Sequence, residues 1–162
     1  MKNTVYFFVI LFFTVAFSAC QEDGIVFPSV QNSESSFEVI IDGELFSTEN
    51  VSFTTDNEGI FINAEIVETE EIITLKIDDF DVGVFSFEGE NNVASYVKNN
   101  MGSEDVWSTV GASSSRGSVE FTHINFVKNT VSGTFNFIGE NLSSGSRKPF
   151  ISGIFNNVPK GI

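Results

Sequence analysis

The chain has 162 residues, with 22 acids against 8 lysines and arginines and a formal charge of −14; a surface of that sign repels phosphate backbones, which excludes nucleic acid as a partner. The length suits one domain of ordinary size. Nineteen phenylalanines supply material for a core, and a single cysteine leaves neither an internal disulfide nor a thiolate metal site to staple it.

Met1 and Lys2 precede an apolar run over residues 5–17, broken only by Thr14, and Ser18-Ala19-Cys20 follow. A charge, a short apolar run and small residues in that order read as a secretory signal peptide. The run is too short to span hydrocarbon, which takes about 20 apolar residues. Small residues directly before a cysteine resemble the lipobox of bacterial lipoproteins, with Phe17 where that motif usually carries leucine. The resemblance implies a diacylglycerol on the Cys20 thiol, cleavage before Cys20 and an acylated new amino terminus. An incidental cysteine in a secreted protein and an uncleaved anchor are the alternatives. Lys2 is the only charged residue before Cys20, so cleavage would move the formal charge from −14 to −15.

Residues 20–35 are mostly polar, with Gln21 and then Glu22-Asp23 behind the cysteine and Ile25-Val26-Phe27 as the one sizeable apolar group. They read as a tether that could reach about 55 Å when fully extended. The expected organisation is a signal peptide over residues 1–19, a lipidated flexible tether over 20–35 and a single β domain over 36–162.

From Phe37 onward, short runs of Val, Ile, Phe and Thr are bounded by Asp, Asn, Gly, Glu or Ser, the pattern of strands and tight turns. Asp42-Gly43 between two apolar runs predicts a hairpin, because both central residues of its turn need positive φ. Strands follow over residues 51–55, 60–67 and 73–77, the second alternating Ile60, Ile62, Ala64 and Ile66 against a mixed face. Further strands are expected at 84–87, 93–97, 106–110, 118–126, 130–138 and 150–155. No helical spacing of apolar residues persists over three turns. The expected fold is all-β, an antiparallel β-sandwich of about ten short strands, with a small closed or partly open β-barrel as the alternative.

Chemistry is sparse. The one histidine, His123, shares its strand parity with Val119 and Phe121 and reads as a core or edge residue, with no nucleophile motif beside it. Most acids, among them Glu68, Glu70, Glu71, Glu88 and Glu90, fall in turns. A facing carboxylate pair acting on a glycan is therefore a distant alternative to a protein without catalysis. Asp78, Asp79 and Asp81 are cation-like, but an EF-hand count from Asp79 puts Gly83 and Val84 where a ligand and then glycine belong. No metal and no cofactor is expected. Trp107 and Tyr96 are weak candidates for binding a sugar; a lone Trp in a small β domain is more often core.

Residues 131–137, Val-Ser-Gly-Thr-Phe-Asn-Phe, and 151–159, Ile-Ser-Gly-Ile-Phe-Asn-Asn-Val-Pro, resemble the closing strands of an uncharacterised family of small β-rich lipoproteins of Bacteroidota. Residues 37–43 and 96–109 fit the same layout. Gly133 and Gly153 sit inside these strand patterns, where a missing side chain marks a bulge or a close approach by a ring. The resemblance implies an outer-membrane-anchored envelope lipoprotein and brings no known activity. Glu22-Asp23 resembles, in short form, the surface-export signal of that phylum. The expected function is a non-catalytic binding or interaction module held to the membrane through lipid on Cys20, with an envelope protein or glycan as partner. A structural or accessory subunit of an outer-membrane complex is the alternative.

Overall fold

The computed structural model of the chain describes residues 34–100, 103–112 and 116–162. The apolar runs become eleven strands: β1 (Ser36–Ile41), β2 (Glu44–Thr48), β3 (Val51–Asp56), β4 (Gly59–Ile66), β5 (Glu71–Ile77), β6 (Gly83–Ser86), β7 (Val93–Asn100), β8 (Ser103–Ser108), β9 (Gly117–Asn125), β10 (Thr130–Glu140) and β11 (Arg147–Pro159). Every named strand pair is antiparallel, and the described residues contain no helix. Asp42 and Gly43 take φ of 52° and 88°, the positive values that the hairpin turn requires.

The strands form one nearly closed, barrel-shaped sheet in the order β2-β1-β11-β10-β8-β7-β5-β4-β3, with β9 on β10 and β6 on β9. The all-β antiparallel expectation holds, and the barrel alternative describes the sheet better than the sandwich. The physical reason lies in shared strands. One edge of β10 pairs with β9 over residues 130–137 and with Ser108 of β8 at Glu140, so a single strand feeds both halves. The two ends of the path, β2 and β3, are consecutive in the chain and meet across a corner. There Thr48 Oγ1 donates to the Glu65 carbonyl at 2.7 Å and the Glu65 amide donates to the Asn50 carbonyl at 3.0 Å. The Gly161 amide donates to the Phe53 carbonyl at 2.7 Å, which ties the end of the chain to the edge of β3.

The interior is filled by rings. Phe85, Phe121, Phe155, Phe135, Phe137, Phe150, Tyr96 and Trp107 form a continuous series of ring contacts, the tightest being Phe137 on Phe150 at 4.0 Å and 8°. Each such pair adds about 0.5–1.5 kcal/mol beyond area burial. Strand β11 keeps its rings in this series only because its alternation is broken twice. Phe150, Gly153, Phe155 and Val158 are all inward, at spacings that a regular strand would split between its two faces. The pairing with β10 shifts register at both breaks, where Ser152 and Asn157 take φ of 56° and 45°. These are β-bulges, which bend the strand and increase its twist. The Asn157 amide donates to Ser132 Oγ at 2.9 Å and braces the second.

Gly153 also makes room: a Cβ there would lie 2.6 Å from the Phe135 ring. A third register shift, between β9 and β10 near Thr122, overturns the parity His123 was expected to share with Val119 and Phe121, while the edge half of that expectation stands. The extra residue reverses the alternation after Phe121, so His123 faces solvent rather than the core.

If Ser152 is a bulge residue held at positive φ, Ser152→Gly should raise unfolding free energy by about 1 kcal/mol, and Ser152→Val should lower it by about 1–2 kcal/mol, since a left-handed conformation is costly for any residue with a Cβ. Urea unfolding of the two variants measures both; equal stabilities would contradict the assignment.

Candidate functional site

The hairpin turn at Asp42-Gly43, the loop between β10 and β11 and the turn between β4 and β5 gather at one end of the barrel, here the Asp42 end. Near that end lies a cleft of about 130 Å³ at the seam between β2 and the β5–β7 pair. Its apolar floor includes Ile41, Phe46 and Ile66, and its polar wall carries Glu71, Tyr96, Lys98, Asp42 and Lys148. Cross-strand register places these charges. Glu71 of β5 lies directly opposite Lys98 of β7, and their side chains pair at 2.6 Å. Lys148, at the start of β11, reaches the carboxylate of Asp42, and its ammonium stands 4.8 Å from the centre of the Trp107 ring.

These surroundings shift two side chains away from their ordinary ionisation ranges. Burial, with the Glu71 charge and hydrogen bond behind it, pushes the Tyr96 hydroxyl well above its ordinary ionisation range. The hydrogen bond to Glu71 outweighs desolvation and holds Lys98 above its usual value. A lysine or tyrosine acting as base or nucleophile needs the opposite shift. The wall is therefore suited to hold a polar or charged group through ion pairs and hydrogen bonds.

Trp107 and Tyr96 do come together, with ring centres 5.6 Å apart and 32° between planes, but as core residues 8% and 3% exposed. The indole Nε1 donates to Ser146 Oγ at 3.0 Å. Burial leaves no open ring face on which a sugar could stack. Cys20 lies outside the described residues. The aspartates at 78–81 serve the turn itself: Asp78 accepts from Asn91 Nδ2 at 3.0 Å, and Asp79 and Asp81 accept from the amides of Phe80 and Val82. Among the described residues, no three His, Cys, Asp or Glu side chains converge on a point where a metal could sit. Sequence reasoning missed Glu71, Lys98 and Lys148 as site residues. A directly opposed Glu and Lys is a usable signal only once the order of strands is known.

The opposite end of the barrel carries a second, apolar groove of about 130 Å³ among Phe53, Phe80, Ile124, Phe126 and Lys160. The sequence pattern puts Phe126 at the end of a strand; β9 instead stops at Asn125, and Phe126 and Val127 stand on the turn.

From Cys20 onward Tyr96 is the only tyrosine. Its hydroxyl stays protonated in the folded domain at a pH where an unfolded tyrosine has ionised, so its contribution to stability is full below about pH 10 and falls as pH rises beyond that. In an alkaline titration of the chain starting at Cys20, tyrosinate absorbance should remain flat through pH 10 and rise only with loss of the folded near-ultraviolet circular dichroism. A reversible midpoint near 10 in the folded domain would contradict the buried hydroxyl beside Glu71.

Comparison with known proteins adds one match. Residues 33–159 fit a family model described as Domain of unknown function (DUF6252). No curated protein and no solved structure matches the chain. The matched span contains the eleven strands and both grooved ends of the barrel; the chain belongs to the DUF6252 family.

Proposed function

We propose that this protein is a small lipoprotein of the Bacteroidota cell envelope, anchored in the outer membrane through lipid on Cys20, and that its barrel serves as a non-catalytic interaction module. The sequence up to Ser18-Ala19-Cys20 supports the anchor. Two or more acyl chains hold a protein stably at a membrane, where one gives only marginal binding.

The observation that carries the module half of this reading is the filled interior. Some small barrels hold a ligand inside the sheet, and others are filled by side chains and bind through their outer faces and loops. Here that space is occupied by the phenylalanine series, with Phe37, Phe87, Phe121, Phe137, Phe150 and Phe155 at or near zero exposure. Recognition therefore falls to the outside of the barrel, its loops and ends included. At the Asp42 end, the cleft offers paired charges and a protonated Tyr96, features of a surface that binds rather than one that transfers protons. The strongly acidic surface favours a partner with a basic face.

Cells expressing the chain and fed an alkyne-bearing fatty acid should yield labelled protein, and Cys20→Ala should abolish both the label and membrane retention. Protease added to intact cells should remove the barrel if it is displayed outward. An unlabelled wild-type chain would overturn the anchor, and protection until the outer membrane is broken would place the domain on the inner leaflet.

A further inference from the structure

The turn between β9 and β10 breaks the usual rule for turns. Phe126 and Val127 at its tip are 74% and 94% exposed, whereas turn positions ordinarily carry Gly, Asn, Asp, Ser or Pro. The tip is built rather than loose. Asn125 Oδ1 accepts from the amides of Val127 and Lys128 at 3.1 and 2.9 Å. Asn129 takes a φ of 51°, and its carbonyl accepts from the Lys160 amide at 3.0 Å, which ties the turn to the end of the chain. Phe126 stands edge-on against Phe80 at 6.1 Å, and Phe80 leans on Phe53 at 5.9 Å. A row of rings thus backs the tip and keeps its apolar side chains pointing outward.

The register shows which end of the barrel this is. Ser36, where the chain enters β1, pairs with Asn156; Pro159, three residues further along β11, pairs with Thr130, the first residue after the turn. The chain leading back to Cys20 therefore joins the barrel at the end that bears Phe126 and Val127. Sixteen residues, 20–35, lie between the proposed acyl group and that end.

We propose that Phe126 and Val127 form a foot that dips into the lipid interface beside the anchor, with Phe80 behind it and Lys128 and Lys160 at headgroup level. The proposal rests on lipidation of Cys20. Tethering makes the contact intramolecular, so an apolar insertion too weak to bind from solution is populated once the lipid is in place. Aromatic and aliphatic side chains on a rigid turn, flanked by lysines that extend to the polar layer, suit such an interface. Asp56 at the end of β3 and Glu58, Asp78, Asp79 and Asp81 on neighbouring turns stand at the same end. The surface contacted is therefore zwitterionic, since an anionic one would repel these carboxylates. The foot would stand the barrel on its Ser36 end and present the Asp42 end, with its charged cleft, away from the membrane.

The full-length chain, processed and acylated in cells, tests this in vesicles of phosphatidylethanolamine and phosphatidylcholine. Acylation of Cys20 leaves no other thiol, so Val127→Cys and Leu142→Cys can each carry a polarity-sensitive fluorophore; Leu142 is exposed in the loop at the Asp42 end. Iodide should quench the Val127 probe about fivefold less than the Leu142 probe, spin-labelled lipid should quench only the former, and Phe126→Ser should restore iodide access. Equal iodide access for both probes on a chain whose mass shows the acyl groups would overturn the foot and leave the anchor standing. A mass without acyl groups would overturn the anchor and the foot with it. Protection of Val127 on cells but not in pure lipid would assign the tip to a protein socket, which also overturns the lipid contact.

Discussion

The structure depends on the phase of β11. This strand is the longest in the sheet and pairs with β10 along one edge and β1 along the other. A regular strand would send Phe150 and Phe155 to opposite faces, and one of the two would face solvent. The bulges at Ser152 and Asn157 insert a residue each time the phase would fail. They keep Phe150 on Phe137 and Tyr96, Phe155 on Phe121 and Phe135, and Val158 beneath the end of the barrel. The local cost is two non-glycine residues at positive φ. What it secures is a filled interior and a strand bent enough to curl the sheet.

Filling the interior has consequences for function. With rings filling the interior, the proposed recognition falls to the outside of the barrel, and its two ends carry different groups. The Asp42 end gathers charge, because the opposed strands β5 and β7 bring Glu71 to Lys98 and the first turn brings Asp42 to Lys148. The Ser36 end carries the exposed Phe126 and Val127 of the β9–β10 turn beside the acids of its neighbouring turns.

The sequence shows much of the fold and little of the site. Alternation at Ile60, Ile62, Ala64 and Ile66 and at Ile73, Leu75 and Ile77 marks buried faces directly, and Asp42-Gly43 marks the first hairpin, because these are local effects of pleat and turn. The bulges are also written in the chain. Phe150, Gly153, Phe155 and Val158 break alternation beside Ser-Gly and Asn-Asn, yet only Gly153 draws attention in a scan for strands. The same oversight at Thr122 turns His123 the wrong way. Closure of the sheet was not legible, because it rests on Glu140 meeting Ser108 and on Gly161 meeting Phe53, contacts that no local pattern encodes. The cleft was hidden for that reason too: Glu71 reads as a solvated turn acid until β7 is known to lie beside it.

Native-state hydrogen exchange on the β domain tests the central role of β11 most directly. If the bulged strand and its ring contacts hold the sheet together, the bonded amides of β10, β11 and β1 will exchange only through global unfolding, with one common free energy and denaturant dependence, while the edge strands β2 and β6 open more easily. Sub-global opening of β11 while β4, β5 and β7 remain protected would contradict the account.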